Sequence, residues 1–364
     1  MARATGTGTE MDRPGQPLHM AQEKKRNLEV RMSFHKTIAT SAVATLTASA
    51  AMAGGHLTEV TFGTNWVAQA EHGGFYQAVA DGTYEECGLS VTILPGGPQV
   101  NNRALMLAGR MDFHMGGDLL QAFSAAEEGI PVVNIAAIFQ KHPQVIVAHP
   151  GSADSWEDLK DLTLLIGDNG FQSYYQWMIA AHGFTAEQRQ PYTFNPAPFL
   201  ADTEVGMQGY LSSEPYLVEK EGGFAPNVFL IADAGYSSYA TTIETMQQTI
   251  DERPEIVECF VDGSLTGWYN YLYGDNAAAN ALIQEANPEM SMDKIEYAIG
   301  KMKEWGIVDS GDALEKGIGV ITDEKVQSFY DLMVEAGVVS DGIDFSGTYT
   351  TAFIGKGVGM DAKK

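Results

Sequence analysis

Residues 59–97 read EVTFGTNWVAQAEHGGFYQAVADGTYEECGLSVTILPGG, and their pattern decides the fold. Glu59–Thr64 alternates apolar and polar residues as a half-buried strand does, Gly74–Ala80 reads as a short helix, and Leu89–Leu94 (LSVTIL) alternates again. A strand, a helix and a second strand in such close succession form a βαβ unit, which calls for parallel neighbours in one sheet. The strand ends in Thr64-Asn65-Trp66, an amide and an indole, and Gly73-Gly74 opens the helix. Glycine at a helix start lets a ligand come close to free backbone N–H groups.

The rhythm continues downstream. Pro98–Gly109 predicts a helix with Val100, Ala104, Leu105 and Ala108 on one face. Met111–Met115 follows as a strand, Asp118–Glu128 as a helix and Pro131–Phe139 as a continuous apolar strand. A second unit of the same kind runs from Gln144 to Ala234. It has strands at Val145–Ala148, Leu162–Ile166, Gly209–Ser212 and Val228–Ala232, a Ser-x-x-acid box at Ser155–Asp158 and a helix at Phe171–Ala181. The remainder reads as mainly helical: Pro254–Tyr273, Asn276–Glu285, Met292–Trp305 and Asp323–Ala336. In Met292–Trp305 the stripe Ile295, Ala298, Ile299, Met302 and Trp305 is core packing. The expected fold is α/β and two-lobed, each lobe a mostly parallel sheet flanked by helices. Residues 54–143 and 237–364 form the first lobe and 144–236 an inserted second. Two crossings, near Lys141–Gln144 and Ala234–Tyr239, make a hinge. Solutes bind between such lobes, at the carboxyl ends of strands.

Upstream, Ser33–Ala53 reads as an export signal. Lys36 is its positive end, Thr37–Ala50 a mildly apolar stretch and Ala51-Met52-Ala53 a small-x-small cleavage site, with the cut after Ala53. Met32 is read as the true start, and the residues before it as a mis-called leader. The expected compartment is the periplasm, and the mature chain has no second long apolar run to span a membrane. The whole chain carries 22 Lys+Arg against 47 Asp+Glu, a net charge of −25. Such a surface repels phosphate backbones and excludes nucleic acid as a general partner. Cys87 and Cys259 sit in no CxxC or Cys/His cluster and read more readily as two buried small hydrophobes than as a pair.

Enzyme signatures are missing: there is no GxSxG, HExxH, GxxxxGK or GxGxxG. The histidines show no metal spacing, and neither metal nor cofactor is expected. His72 and His142 lie near the expected cleft. Four strand-to-helix junctions are chemically rich instead. The first carries Asn65, Trp66 and His72; Trp66 is either a stacking face for a ligand or a core residue. The second is Met115-Gly116-Gly117-Asp118, where Asp118 can cap a helix, touch solute or do both. The third is Gly167–Tyr175, offering Asn169, Gly170 and one of Tyr174 and Tyr175. The fourth is Ser212–Tyr216, with Glu214 as a cleft carboxylate or a helix-start acid and Tyr216 beside it. These junctions hold Glu71, Asp118, Asp168 and Glu214 and no Arg or Lys. Anions normally require Arg or clustered N–H donors, so the set suits a neutral or cationic heterocycle.

At these residues the chain resembles solute-binding proteins of the thiamine-pyrimidine-precursor type, a superfamily that also includes alkanesulfonate, taurine, nitrate and riboflavin binders. The resemblance rests on residues 64–97. It continues through Ala108–Phe113, Trp156–Lys160, Gly209–Tyr216 and Arg253–Val257, and so spans nearly all the mature chain. It implies a type II periplasmic-binding-protein fold, an ABC permease partner with its cytoplasmic ATPase and no catalysis; a monomer is expected. It also implies that Asn65 and Trp66 form a ligand-contacting strand end, that Gly116–Asp118 and Gly170–Tyr174 are helix-start binding loops, and that Glu214 is a polar contact. The resemblance does not fix the solute; the aromatic, acidic junctions favour a thiamine pyrimidine precursor or a flavin-like ring. The alternatives are a small sulfonate, taurine or nitrate, a sensory receptor in place of a permease, and an enzyme resembling the yeast pyrimidine-precursor synthases. That enzyme's Cys-rich motif is absent from this sequence.

Overall fold

The computed structural model describes residues 56–97, 100–193 and 195–363, apart from the side chain of Asn169. The leader, the export signal and its cleavage site lie outside these residues. Two five-stranded sheets organise the chain. Strands β1 (Thr58–Gly63), β2 (Leu89–Leu94), β3 (Phe113–Asp118) and β4 (Val132–Phe139) belong to the first. Strands β5 (Gln144–Ala148), β6 (Thr163–Ile166), β7 (Arg189–Pro191), β8 (Val205–Tyr210) and β9 (Asn227–Leu230) make the second, and β10 (Ala240–Met246) returns to the first. The helices that position the site are α1 (Gly73–Ala80), α2 (Asn102–Leu107), α3 (Leu119–Glu127), α4 (Tyr174–His182) and α5 (Glu214–Gly222). The long α6 (Pro254–Tyr273) follows, then α7 (Met292–Glu304) and α8 (Asp323–Glu335).

The spatial orders are β2-β1-β3-β10-β4 and β7-β6-β8-β5-β9. In the first sheet β10 is antiparallel to both β3 and β4, so the other four strands share one direction. In the second, β5 is antiparallel to both β8 and β9, with the same result. Each sheet is therefore mostly parallel with one reversed strand. The reversed strand in each case is the one that directly follows a crossing: the chain leaves the first sheet after β4 and turns into β5, and it leaves the second after β9 and turns into β10.

Burial explains the apolar strands. All eight residues of β4 are buried, and its free edge is covered by backbone bonds from Asn134 to Thr348 and Thr350 and from Ala137 to Gly319. Helix α6 fits against α1 because three glycines let the backbones meet. A Cβ on Gly267 would lie 2.2 Å from the Gly74 carbonyl oxygen, and Cβ atoms on Gly73 and Gly74 would strike the rings of Tyr271 and Trp268. The Gly73-Gly74 pair thus serves helix packing, which corrects its reading as room for a ligand. Rings of Phe62, Phe75, Phe113, Tyr84 and Phe260 pack together, with Tyr84 and Phe113 stacked on Phe260, Phe113 at 4.2 Å.

Two further expectations are corrected. The segment after the second crossing, read as mainly helical, opens with a strand that the sequence reading did not place, because ATTIETM forms β10 inside the first sheet. Its polar residues are buried, and two of them are bonded to distant segments: Glu244 meets Arg103 Nε at 3.0 Å and His114 Nδ1 at 3.1 Å, and Thr245 donates to the Asp112 carbonyl. Burial pushes the Glu244 carboxyl up, but those two partners hold it below its ordinary range. The cysteines are not two separate hydrophobes. Cys87 and Cys259 form a disulfide with Cα atoms 5.8 Å apart, tying the segment before β2 to α6.

Candidate solute-binding cavity

A cavity of about 230 Å³ lies between the two sheets and is lined by segments belonging to both. From the first sheet's side come Asn65 and Trp66 after β1, Glu71 and His72 in the turn before α1, Gly117 and Asp118 at the β3–α3 junction, and Gln121 in α3. Thr241 comes from β10. The second sheet's side supplies Gly170, Ser173 and Tyr174 after β6, then Gln208, Gly209, Tyr210, Ser213 and Glu214 around the β8–α5 junction. His142 and Gln144, on the outgoing crossing, lie against it.

Of the residues expected at the site, Asn65, Trp66, His72, Gly117, Asp118, Gly170, Tyr174 and Glu214 converge on this cavity. Trp66 is only partly buried, unlike the wholly buried Trp177 and Trp268, so its ring is not a core residue. Gly116 lies one residue behind the lining, where a Cβ would meet Thr242 Oγ1 at 2.5 Å. Tyr216 turns to the ring of Tyr297 on α7, 5.2 Å away. The side chain of Asn169 is outside the described residues. Of the four junction acids, Asp168 is exposed and pairs with Arg189, leaving Glu71, Asp118 and Glu214 at the cavity.

Each carboxylate is held by a definite donor. Asp118 caps α3 by accepting from Leu120 N at 3.0 Å, while its Oδ2 accepts from the Tyr236 hydroxyl at 2.9 Å. The cap and the cavity position coexist in this residue. Glu71 accepts from Ser212 Oγ, and burial raises its carboxyl above the usual range despite that bond. Glu214 accepts from Tyr210 N at 2.7 Å, made possible by Gly209, whose Cβ would fall 2.5 Å from that of Glu214. Burial pushes Glu214 up to about 7, the Tyr210 N–H and the Lys294 charge opposing it. Among the described lining residues there is no Lys or Arg.

The aromatic wall is equally fixed. Gly170 leaves room for Tyr174, whose hydroxyl would stand 2.6 Å from a Cβ there. That hydroxyl donates to Gln208 Oε1 at 3.0 Å, and the same oxygen accepts from Gly167 N at 2.7 Å. Tyr175 points elsewhere, to the Thr185 carbonyl. Burial drives His72 down to about 3, so it is a neutral imidazole, and its Nδ1 has no protein partner. Thr241 is the only non-glycine at positive φ among the described residues, at +48°. A β-branched residue there is strained, and such strain gathers at ligand clamps.

Sequence reasoning overlooked Gln121, Gln144, Gln208, Tyr210 and Thr241. Glutamines carry no local signature, and their place follows from strand pairing between distant segments.

A family model described as NMT1/THI5 like matches residues 69–278, more than half the chain. The chain belongs to the NMT1/THI5-like family. Over 347 residues it is 23% identical to the riboflavin-binding protein RibY of Chloroflexus aurantiacus, covering 87% of this chain and 92% of that protein. The alkanesulfonate-binding protein SsuA of Xanthomonas axonopodis pv. citri shares the fold, with a TM-score of 0.57, 12% identity and coverage of 80% and 98% of the two chains. The desulfurization enzyme DSZB shares it too, at a TM-score of 0.51 and 13% identity, covering 81% and 97%. The fold is that of periplasmic solute-binding proteins of ABC importers, and one family of architecture houses both binders and an enzyme. No helix among the described residues is long and apolar enough to cross a membrane.

Proposed function

We propose that this protein is the exported, periplasmic solute-binding component of an ABC importer, a non-catalytic monomer that closes two lobes on a nitrogen heterocycle. Residues 54–143 and 237–364 form one lobe and 144–236 the other. The observation that carries the solute class is the set of groups at the cavity: three carboxylates, a neutral histidine, Trp66 and Tyr174, with no lining cation among the described residues. Each of these carboxyl groups keeps acceptor capacity beyond its protein donor, so the favoured solute brings N–H donors to Asp118, Glu71 or Glu214 and a flat face to the rings.

Two ring systems meet that description. A hydroxymethyl-aminopyrimidine, the thiamine precursor, suits a cavity of about 230 Å³, which is below the roughly 300 Å³ at which ordinary ligand pockets begin. A flavin is supported by the riboflavin-binding relative. Nitrate, or the sulfonate group of taurine or an alkanesulfonate, would set negative charge against the Asp118 carboxylate, with no Lys or Arg among the described lining residues to hold it. Delivery to a permease and its ATPase follows from the family rather than from the cavity.

Native mass spectrometry of the protein purified from its own periplasm tests this reading. A co-purifying nitrogen heterocycle, released unchanged on denaturation, is the expected result. A bound sulfonate or nitrate would refute the heterocycle, and turnover of an added heterocycle would refute the non-catalytic role.

A further inference from the structure

Asp118 belongs to the cavity wall, yet its carboxylate is also in touch with both chain crossings. On the return crossing, between β9 and β10, the Tyr236 hydroxyl donates to Oδ2 at 2.9 Å. On the outgoing crossing, between β4 and β5, His142 Nδ1 accepts from the Gln144 N–H at 3.2 Å. That leaves Nε2 as the ring N–H, 3.7 Å from the same Oδ2. The two rings meet edge to face at 5.4 Å. The crossings are joined again by the Lys141–Asp233 ion pair at 2.7 Å.

The geometry is closely confined. Tyr236 is wholly buried, wedged between Trp177 at 5.2 Å and Phe329 at 5.2 Å. Its hydroxyl is held well above the ordinary phenol range by burial first and by the Asp118 charge next, so it is a donor at any pH the protein meets. Oδ1 is committed to the backbone N–H of Leu120. The orientation of the carboxylate is therefore set by one helix start and one crossing, at a residue that lines the cavity.

We propose that Tyr236 is a positioning residue for solute binding: it aims the Asp118 carboxylate into the cavity and, together with His142, couples occupancy at Asp118 to the two crossings. This rests on the reading of the cavity as a solute site. In the proposed hinge, a closure that changes the backbone of the crossings also shifts Tyr236 and His142 relative to Asp118. A solute donor held by Asp118 therefore favours the hinge state in which the Tyr236 bond is intact.

Tyr236→Phe removes the hydroxyl and keeps the ring, and Asp118→Asn keeps a helix-capping side chain. Calorimetric titration with the hydroxymethyl-aminopyrimidine and with riboflavin is compared for wild type, each single variant and the double variant, beside the melting temperature of each free protein. Tyr236→Phe is expected to weaken binding about tenfold, or about 1.4 kcal/mol, through a faster off-rate. In the Asp118→Asn background the same change is expected to weaken it less than twofold, because its partner is gone. An equal Kd in Tyr236→Phe and wild type would overturn the positioning role while leaving the solute site standing. An equal loss in both backgrounds would also overturn it, since Tyr236 would then act on the core and not through Asp118. Failure of wild type to bind either probe would remove the heterocycle reading and this inference with it.

Discussion

Ser212 donates a hydrogen bond to the carboxylate of Glu71, joining the loop that follows β8 in the second sheet to the turn that follows β1 in the first. Both residues are buried, and Glu71 lines the cavity. Ser212→Ala leaves a buried carboxyl without its donor, at a cost of about 1–3 kcal/mol. The melting temperature of the free protein is expected to fall, and its radius of gyration by small-angle scattering to rise as the closed form loses population. An unchanged radius would show that the contact does not govern closure.

Trp66 supplies a partly exposed ring at the cavity, not a core filler. Trp66→Ala is expected to abolish the ligand-induced rise in melting temperature while the free protein melts within a few degrees of wild type. Unfolding of the variant would place the indole in the core.

Glu214 gives a pH dependence with a definite sign. Its carboxyl is raised from the ordinary 4.5 to about 7 in the folded protein. Between those values the folded state binds more protons than the unfolded one. The stability this group contributes is therefore full below pH 4.5 and is lost as pH rises through 7. Glu214→Gln removes this contribution: relative to wild type, the free variant is expected to gain stability from pH 5 to about 7 and to level off by pH 8, read as the difference in melting temperature. A constant difference across that range would show that Glu214 titrates normally.

The Cys87–Cys259 bridge closes a loop of 172 residues between the segment before β2 and α6. Reduction, or Cys87→Ser with Cys259→Ser, is expected to cost about 2–5 kcal/mol of unfolding free energy. Equal denaturant midpoints with and without reductant would contradict a structural bridge.

Much of the fold was legible because local patterns agreed with it. The alternation in residues 59–97 set β1, α1 and β2, the apolar run set β4, and the spacing of aromatic residues set α6. Strand β10 was not legible, because ATTIETM carries three threonines and a glutamate, and the partners that hold Glu244 and Thr245 in place, Arg103, His114 and Asp112, are far away in sequence. The disulfide was hidden for the same reason, since spacing in sequence says nothing about proximity. At the cavity, glycine and aromatic junctions pointed to eight lining residues. The junction pattern also named Asp168, whose side chain turns to Arg189 instead, a choice made by the neighbouring strand β7. Gln208 was missed, although it holds both Tyr174 and the loop after β6.

The central claim is that an acidic, aromatic cavity selects a nitrogen heterocycle. Parallel calorimetric titrations of the wild-type protein with the hydroxymethyl-aminopyrimidine, riboflavin, taurine and nitrate test it most directly. The account predicts saturable binding of at least one of the two heterocycles and none of the two small solutes. Binding of taurine or nitrate with no response to either heterocycle would contradict it.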